Sequence, residues 1–228
     1  MTIPFRMVNF TIRGIARAAC VVDDAELVKV PAHGPLILAA NHVNFLDAPI
    51  FFTHLQPRVI TALVKEETWN NPFLGALFSL WGGIPIKRGE MDLKAYSRSR
   101  DCLQQGNILA IAPEGTRSRN GRLQKGHPGI AMIAVKTNTP ILPVAFYGGE
   151  LIWDNLHRLI RTPFHIRVGE IFTIDPQTSL NDRILRQQIT DQIMYQIAKL
   201  LPERYRGAYS DLQNVDTSHF KYLSPNNT

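Results

Sequence analysis

The sequence predicts a single α/β domain, a mixed and mostly parallel sheet flanked by helices, with an amphipathic helix at its N-terminus. Two observations predict it. Short apolar runs, PLILAA (35–40), VITALV (59–64) and ILAIAP (108–113), have the length and unbroken hydrophobicity of strands buried on both faces. Helical patterns lie between such runs, and no linker-like or low-complexity stretch interrupts the alternation. Composition agrees, since 45% hydrophobic and 19% charged residues describe a globular chain with a substantial core.

Residues 1–30 form the N-terminal segment. Within MTIPFRMVNFTIRGIARAAC, Arg6, Arg13 and Arg17 share one helical stripe, and Phe5, Val8, Ile12, Ile15 and Ala19 fall on the opposite side. A helix so divided lies in a lipid headgroup layer or packs on the domain, and both readings stay open. CVVDDAELVKV (20–30) alternates loosely and supplies a strand or two. The domain proper spans 31–208. A turn at 31–34 leads into PLILAA, then a helix over 48–55 and the VITALV strand. Asn70-Asn71-Pro72 precedes FLGALFSLW (73–81), a nearly all-apolar helix that faces either core or lipid. IPI (84–86) is a short strand, and 93–106 an amphipathic helix stopped by Gly106. After ILAIAP comes a small-residue helix over 129–136. The next strand, TPILPVAFYG (139–148), carries an internal proline, which predicts a sheet edge or a bulge. FHIRVGEIFTI (164–174) is a further strand, and 181–200 a helix ended by Pro202. The polar tail, 209–228, is expected to fray.

A net charge of +6 and a pI near 9.5 point to anionic partners, a phosphorylated substrate or an acidic lipid surface. Nucleic acid is not an expected partner, because the basic residues are scattered and no nucleic-acid-binding motif is visible. Cys20 and Cys102 offer neither a disulfide framework nor metal-ligand spacing, which suits a reducing compartment. No apolar run is long enough to span a bilayer, and the N-terminus lacks a signal-peptide pattern.

Chemistry concentrates at the predicted strand exits. Asn41-His42-Val43-Asn44-Phe45-Leu46-Asp47 follows PLILAA. A turn there can fold the Asp47 carboxylate onto one imidazole nitrogen of His42, leaving the other free to take a proton. Asp47, just before Ala48-Pro49, equally reads as a helix N-cap. Arg88 follows IPI, and Glu114, Gly115, Thr116 and Arg117 follow ILAIAP. Ligand crevices in α/β sheets lie beyond the carboxyl ends of the strands, so these groups can converge. Together they suit deprotonation of a hydroxyl while an anionic group is held nearby. Taken singly, 87–89 also reads as a solvated turn and 114–117 as a self-capped one. No Gly-x-Ser-x-Gly nucleophile elbow is present.

The order and wording of these motifs resemble the glycerophospholipid acyltransferases, typified by 1-acyl-glycerol-3-phosphate acyltransferase. Asn-His-x4-Asp stands at 41–47, and Gly-x-Ile-x-Ile-x-Arg at 82–88. Pro-Glu-Gly-Thr-Arg-Ser is complete at 113–118, and a proline in an apolar strand is Pro143. The resemblance covers about residues 35–150. Pro85, Lys87 and Ala112 depart from the family's usual residues and bear on acceptor preference.

The resemblance implies an αβα acyltransferase fold, with His42 as general base and Asp47 fixing its tautomer. It implies direct attack of the acceptor hydroxyl on the thioester of acyl-CoA or acyl carrier protein. Arg88, Arg117 and Lys65 would hold the acceptor phosphate. Glu114, Gly115 and Thr116 would shape the glycerol site, and Pro143 would lie near the acyl or thioester end. Neither a metal nor a cofactor beyond the acyl donor is implied. The expected reaction acylates the sn-2 hydroxyl of 1-acyl-glycerol-3-phosphate, giving phosphatidic acid, at the cytoplasmic face of a membrane to which the protein is peripheral. The rival readings are a different lysophospholipid or aminolipid acceptor, and a non-catalytic protein that binds lipid or acyl carrier.

Overall fold

The computed structural model describes residues 3–87, 92–178, 180–213 and 215–223. Its centre is a strand buried on both faces, β2 (Leu36–Ala40). Side chains alternate across a pleated strand, so Ile37 and Ala39 enter one core while Leu36, Leu38 and Ala40 enter the other. Burying an aliphatic side chain of this size contributes about 1.5–3 kcal/mol. That two-sided burial is why the run reads as uninterrupted apolar sequence.

On one side β2 pairs in parallel with β5 (Ile108–Ile111), which pairs with β3 (Ile60–Lys65), which pairs with β4 (Ile84–Ile86). On the other side β2 pairs in parallel with β6 (Ile141–Tyr147). β7 (Thr162–Val168) runs antiparallel to β6, and β1 (Cys20–Asp23) completes that edge, parallel to β7. β8 (Phe172–Ile174) also pairs with β6, and β9 (Phe220–Tyr222) pairs with β8. Nine strands form one mixed, mostly parallel sheet among the described residues.

Helices cover both faces. α4 (Leu93–Gln104), α5 (Gly129–Thr137) and α7 (Arg183–Leu200) pack on the Ile37 side. α1 (Ile3–Ala19), α2 (Asp47–His54), α3 (Pro72–Leu80) and α6 (Ile152–His157) pack on the Leu38 side. Several starts follow capping chemistry. Asn71 accepts from the amides of Phe73 and Leu74, Asp92 from Ala95 and Asp182 from Ile184. Among the described residues, no helix is long and apolar enough to cross a membrane.

Local expectations fare unevenly, and the single strand expected over 164–174 is two, β7 and β8. The 20–30 stretch is one strand, β1, followed by a 3₁₀ turn over Ala25–Lys29, and β1 ties the N-terminal segment into the main sheet. β6 is interior, so of the edge or bulge expected at Pro143 the structure has the bulge: the antiparallel register slips by one residue between Val144, opposite Val168, and Ile141, opposite Phe172. The break between β7 and β8 falls opposite this proline, so no ladder donor is demanded of it there. The Pro143 carbonyl accepts from the Gly169 amide at 2.9 Å. A Cβ on Gly169 would lie 2.7 Å from the proline ring, so the break needs glycine. Within the tail, residues 220–222 form β9 instead of fraying. On α1, the apolar face expected from the pattern is partly buried on the domain through Phe5, Ile12 and Ala19, while Ile3, Met7 and Phe10 form a second, exposed apolar stripe.

Candidate active site

The connections leaving β2 and β5 diverge. The chain passes from β2 through α2 on one face of the sheet and from β5 through α5 on the other, so a crevice opens beyond these two adjacent strand ends. His42 stands at the first exit and Glu114 at the second.

The exit of β2 is locked from below. Asn41 is buried, and its side chain donates to the Phe146 carbonyl at 2.8 Å and accepts from the Phe146 amide at 2.7 Å. A side chain thus replaces the backbone pairing to β6 where β2 turns away, satisfying polar groups that would be costly to bury unpaired.

Asp47 is the first helical residue of α2, and its carboxylate reaches backward, not forward as a helix cap would. Its Oδ2 accepts from His42 Nδ1 at 2.7 Å, from the Val43 amide at 2.6 Å and from the Asn44 amide at 3.0 Å. Asn44 Oδ1 accepts from the Leu46 amide at 2.8 Å, tightening the same turn. The Asp47 side chain is 5% exposed and that of His42 25%. The carboxylate therefore takes a proton-bearing Nδ1 and leaves Nε2 as the acceptor nitrogen.

Glu114 is turned inward. At 2% exposure, its Oε1 accepts from the His42 amide and its Oε2 from the Gln124 amide, both at 2.9 Å. Burial pushes this carboxyl up to about 7, overriding the two amides and the nearby His42, which pull it down; the charge of Asp47 adds to the rise. Through these two bonds Glu114 ties the loop after β5 to the exit of β2. The clamp is completed by the amides of Ser118 and Arg119, which donate to the carbonyls of His42 and Val43 at 2.8 and 3.1 Å.

Gly115 adopts φ +65, and a Cβ there would lie 3.1 Å from the His127 ring, so both backbone and space call for glycine. Thr116 and Arg117 are exposed on the outer side of this loop. Among the described residues Arg117 has no ion pair, and it is one residue from the Ser118–His42 bond. Lys65, exposed at the end of β3, pairs with Glu67 at 3.3 Å. Two strand spacings separate β3 from β2, about 10 Å. Arg88 lies outside the described residues, although β4, which leads towards it, pairs Ile86 with Lys65. Pro143 is not brought to this group. It is buried within β6 beside Ala39, against Gly169 and near the leucine of α7 that also flanks that glycine.

Sequence reasoning missed the roles of Asn41, the 43–44 amides and the Ser118–Gln124 backbone. Asn41 carried a signal, a polar residue directly after a fully buried strand. The others act through main-chain groups, which side-chain motifs do not report. No group of three or more His, Cys, Asp or Glu among the described residues is placed to hold a metal ion.

Residues 22–147, more than half the chain, match the family described as Acyltransferase. A 1-acyl-sn-glycerol-3-phosphate acyltransferase of Chlamydomonas reinhardtii is 27% identical over 185 residues, covering 80% of this chain and 53% of that one. The protein of the same name from Borreliella burgdorferi is 31% identical over 121 residues, covering 52% and 48%. The chain spans about half the length of these curated relatives. The crystal structure of the 1-acyl-sn-glycerophosphate (LPA) acyltransferase PlsC from Thermotoga maritima aligns with a TM-score of 0.58 at 24% identity, over 86% of this chain and 80% of that one, so the two share a fold. With its motifs at adjoining strand exits and its sequence matched from β1 to the end of β6, the chain belongs to the acyltransferase family.

Proposed function

We propose that this protein transfers an acyl chain from a thioester, acyl-CoA or acyl carrier protein, to the free sn-2 hydroxyl of 1-acyl-glycerol-3-phosphate. The observation that carries the reading is the His42–Asp47 pair. A buried carboxylate held by two amides binds Nδ1, which leaves Nε2, on a side chain 25% exposed, as the nitrogen able to take a proton. Binding a lipid needs no such base. The named activity of the relatives supports the choice of acceptor.

In the reaction the acceptor hydroxyl gives its proton to Nε2 as its oxygen attacks the thioester carbonyl. The new C–O bond forms, the tetrahedral intermediate collapses with cleavage of C–S, and the proton on Nε2 passes to the departing thiolate. His42 ends as it began, and no acyl-enzyme is formed. Asp47 stabilises the transient imidazolium, and general-base help of this kind is worth about 10²–10⁴ in rate. Arg117, with Arg88 and Lys65, holds the acceptor phosphate, for which a guanidinium's planar pair of donors is suited. No metal or cofactor enters this scheme.

The protein works peripherally at the cytoplasmic face of a membrane, since acceptor and product are bilayer lipids. Support comes from α1, where Ile3, Met7 and Phe10 are exposed next to Arg6, Arg13 and Arg17 with no acidic residue in the helix. The exposed Phe73 and Leu74 at the start of α3 add to it.

The test offers labelled acyl-CoA and labelled acyl carrier protein separately, with lysophosphatidic acid. Labelled phosphatidic acid from either donor is the expected result and identifies the donor. Absence of product from both donors, with lysophosphatidic acid and with other lyso-acceptors, would replace this reading with that of a binding protein.

A further inference from the structure

The segment after β6 carries a surface that the proposed reaction does not use. In α6 and the turns on either side, Leu151, Trp153, Leu156, Leu159 and Ile160 are all exposed, with Ile152 the buried residue of the helix. Single exposed apolar residues are ordinary, but five within ten positions form a patch of the kind that marks an interaction site.

Leu159 is the most telling of them. The amides of Leu159 and Ile160 close α6 by donating to the carbonyls of Leu156 and Asn155. In that capping arrangement the residue in Leu159's place is left-handed and is usually glycine. Leu159 takes φ +56 there and is 93% exposed. A branched apolar side chain stands where the backbone favours none and where it gains nothing from the fold.

This patch is fastened to the His42 turn. The Phe45 ring lies 5.3 Å from that of Trp153, and the Asn44 side chain donates to the Gly149 carbonyl. It is also fastened to α1, because the Arg161 guanidinium donates to the carbonyls of Arg17 and Cys20. Exposed Arg158 and Arg161 border it, and the segment 149–161 holds two acids, exposed Asp154 and half-buried Glu150, whose carboxylate is turned to the Tyr205 hydroxyl. The patch thus adjoins the C-terminal end of α1, where Ile15 and Arg17 are exposed, and its exposed charges, Arg158 and Arg161 against Asp154, sum to positive.

We propose that residues 149–161, together with Phe45, insert into the interfacial layer of an anionic bilayer and seat the His42 crevice directly on it. The lyso-acceptor then enters from the membrane without leaving it. This rests on the reading of the site as one that takes a lipid acceptor. Apolar side chains bordered by Arg158 and Arg161 fit an acidic lipid surface, where cations meet headgroups and the apolar groups leave water.

The experiment uses the full chain carrying Trp69→Phe, so that Trp153 is the exposed indole while Trp81 is buried at 3% exposure. Vesicles of phosphatidylglycerol and brominated phosphatidylcholine are the probe. Quenching of Trp153 on vesicle binding is expected. Leu159→Glu is expected to lower the acylation rate on vesicle-embedded lysophosphatidic acid by about tenfold or more, while a short-chain, monomeric lyso-acceptor is turned over within about twofold of wild type. Flotation with vesicles but no quenching would overturn the proposal and leave contact to α1 alone. An unchanged vesicle rate in Leu159→Glu would overturn it too, as would a Trp153→Glu variant that changes oligomeric state but not vesicle binding, which would assign the patch to a second copy of the chain. Failure of the wild type on both acceptors would instead sink the acyl-transfer reading, and the quenching result stands apart from that.

Discussion

The two halves of the candidate site are built in opposite ways. In the inner half, Asn41, Asp47 and Glu114 are buried and each engages two or more backbone groups. In the outer half, Thr116, Arg117 and Lys65 are exposed on loop and strand ends. The contrast separates two demands. A general base has to stand in one tautomer and one direction before the substrate arrives, whereas a phosphate clamp can close around its ligand. In the proposed reaction, preorganising the first lowers the barrier, while the second lies exposed where substrate and product exchange.

Substitutions in the inner half are expected to act on turnover and folding, and those in the outer half on substrate affinity. The largest effect belongs to Asp47→Asn. An amide there cannot accept from His42 and both main-chain donors as a carboxylate does, so kcat is expected to fall about 10²–10⁴-fold. Steady-state kinetics on detergent-dispersed acceptor would check it, and a change confined to KM would remove the contrast.

Glu114→Gln sharpens the comparison through pH. The folded protein retains a proton on Glu114 up to about 7, whereas the unfolded chain releases it near its ordinary value of 4.5. The folded state thus binds more protons between these values, and this group's contribution to stability is lost as pH rises through that window. The loss amounts to about 3 kcal/mol in all. Denaturant unfolding from pH 4.5 to 7.5 should show the wild type losing stability relative to Glu114→Gln as pH rises. Parallel curves would mean that the carboxyl titrates as it does in water.

Arg117→Ala is expected to raise KM for the phosphorylated acceptor about 10–100-fold with kcat little changed, the loss of a charged hydrogen bond to phosphate. Lys65→Ala should matter least, about threefold or less in kcat/KM, because its ammonium is exposed, shared with Glu67 and screened. Added salt should weaken acceptor binding in wild type more than in Arg117→Ala, since exposed charges are the ones that ions screen. Equal salt dependence would argue that the outer half does not meet the phosphate.

How much of this was legible in the sequence depends on range. Strands buried on both faces announce themselves as unbroken apolar runs, so β2, β3 and β5 were readable, and with them the alternating sheet. The contact between His42 and Asp47 was readable because one turn spans both. The inward turn of Glu114 was not, since it depends on β5 lying beside β2, an adjacency that no local pattern carries. Pro143 left a choice between an edge and a bulge that the sequence could not make, for a related reason. A proline rules out a donor, but whether that donor is needed is decided by Gly169 and the break across from it. On α1 the helical period left packing and lipid contact open for one apolar face; Phe5, Ile12 and Ala19 of that face pack inward while its Ile15 is exposed, and the helix's buried residues, Asn9 and Ala16, lie outside the pattern.

The central claim is that Nε2 of His42 takes the acceptor's proton. The most direct measurement is the acyl-transfer rate of His42→Ala beside wild type, on detergent-dispersed lysophosphatidic acid with saturating donor, with circular dichroism to establish that both are folded. The account predicts a rate lower by about 10²–10⁴-fold with KM for the acceptor changed little. A folded His42→Ala protein that turns over within about threefold of wild type would contradict it and return the His42–Asp47 contact to a role in folding the turn.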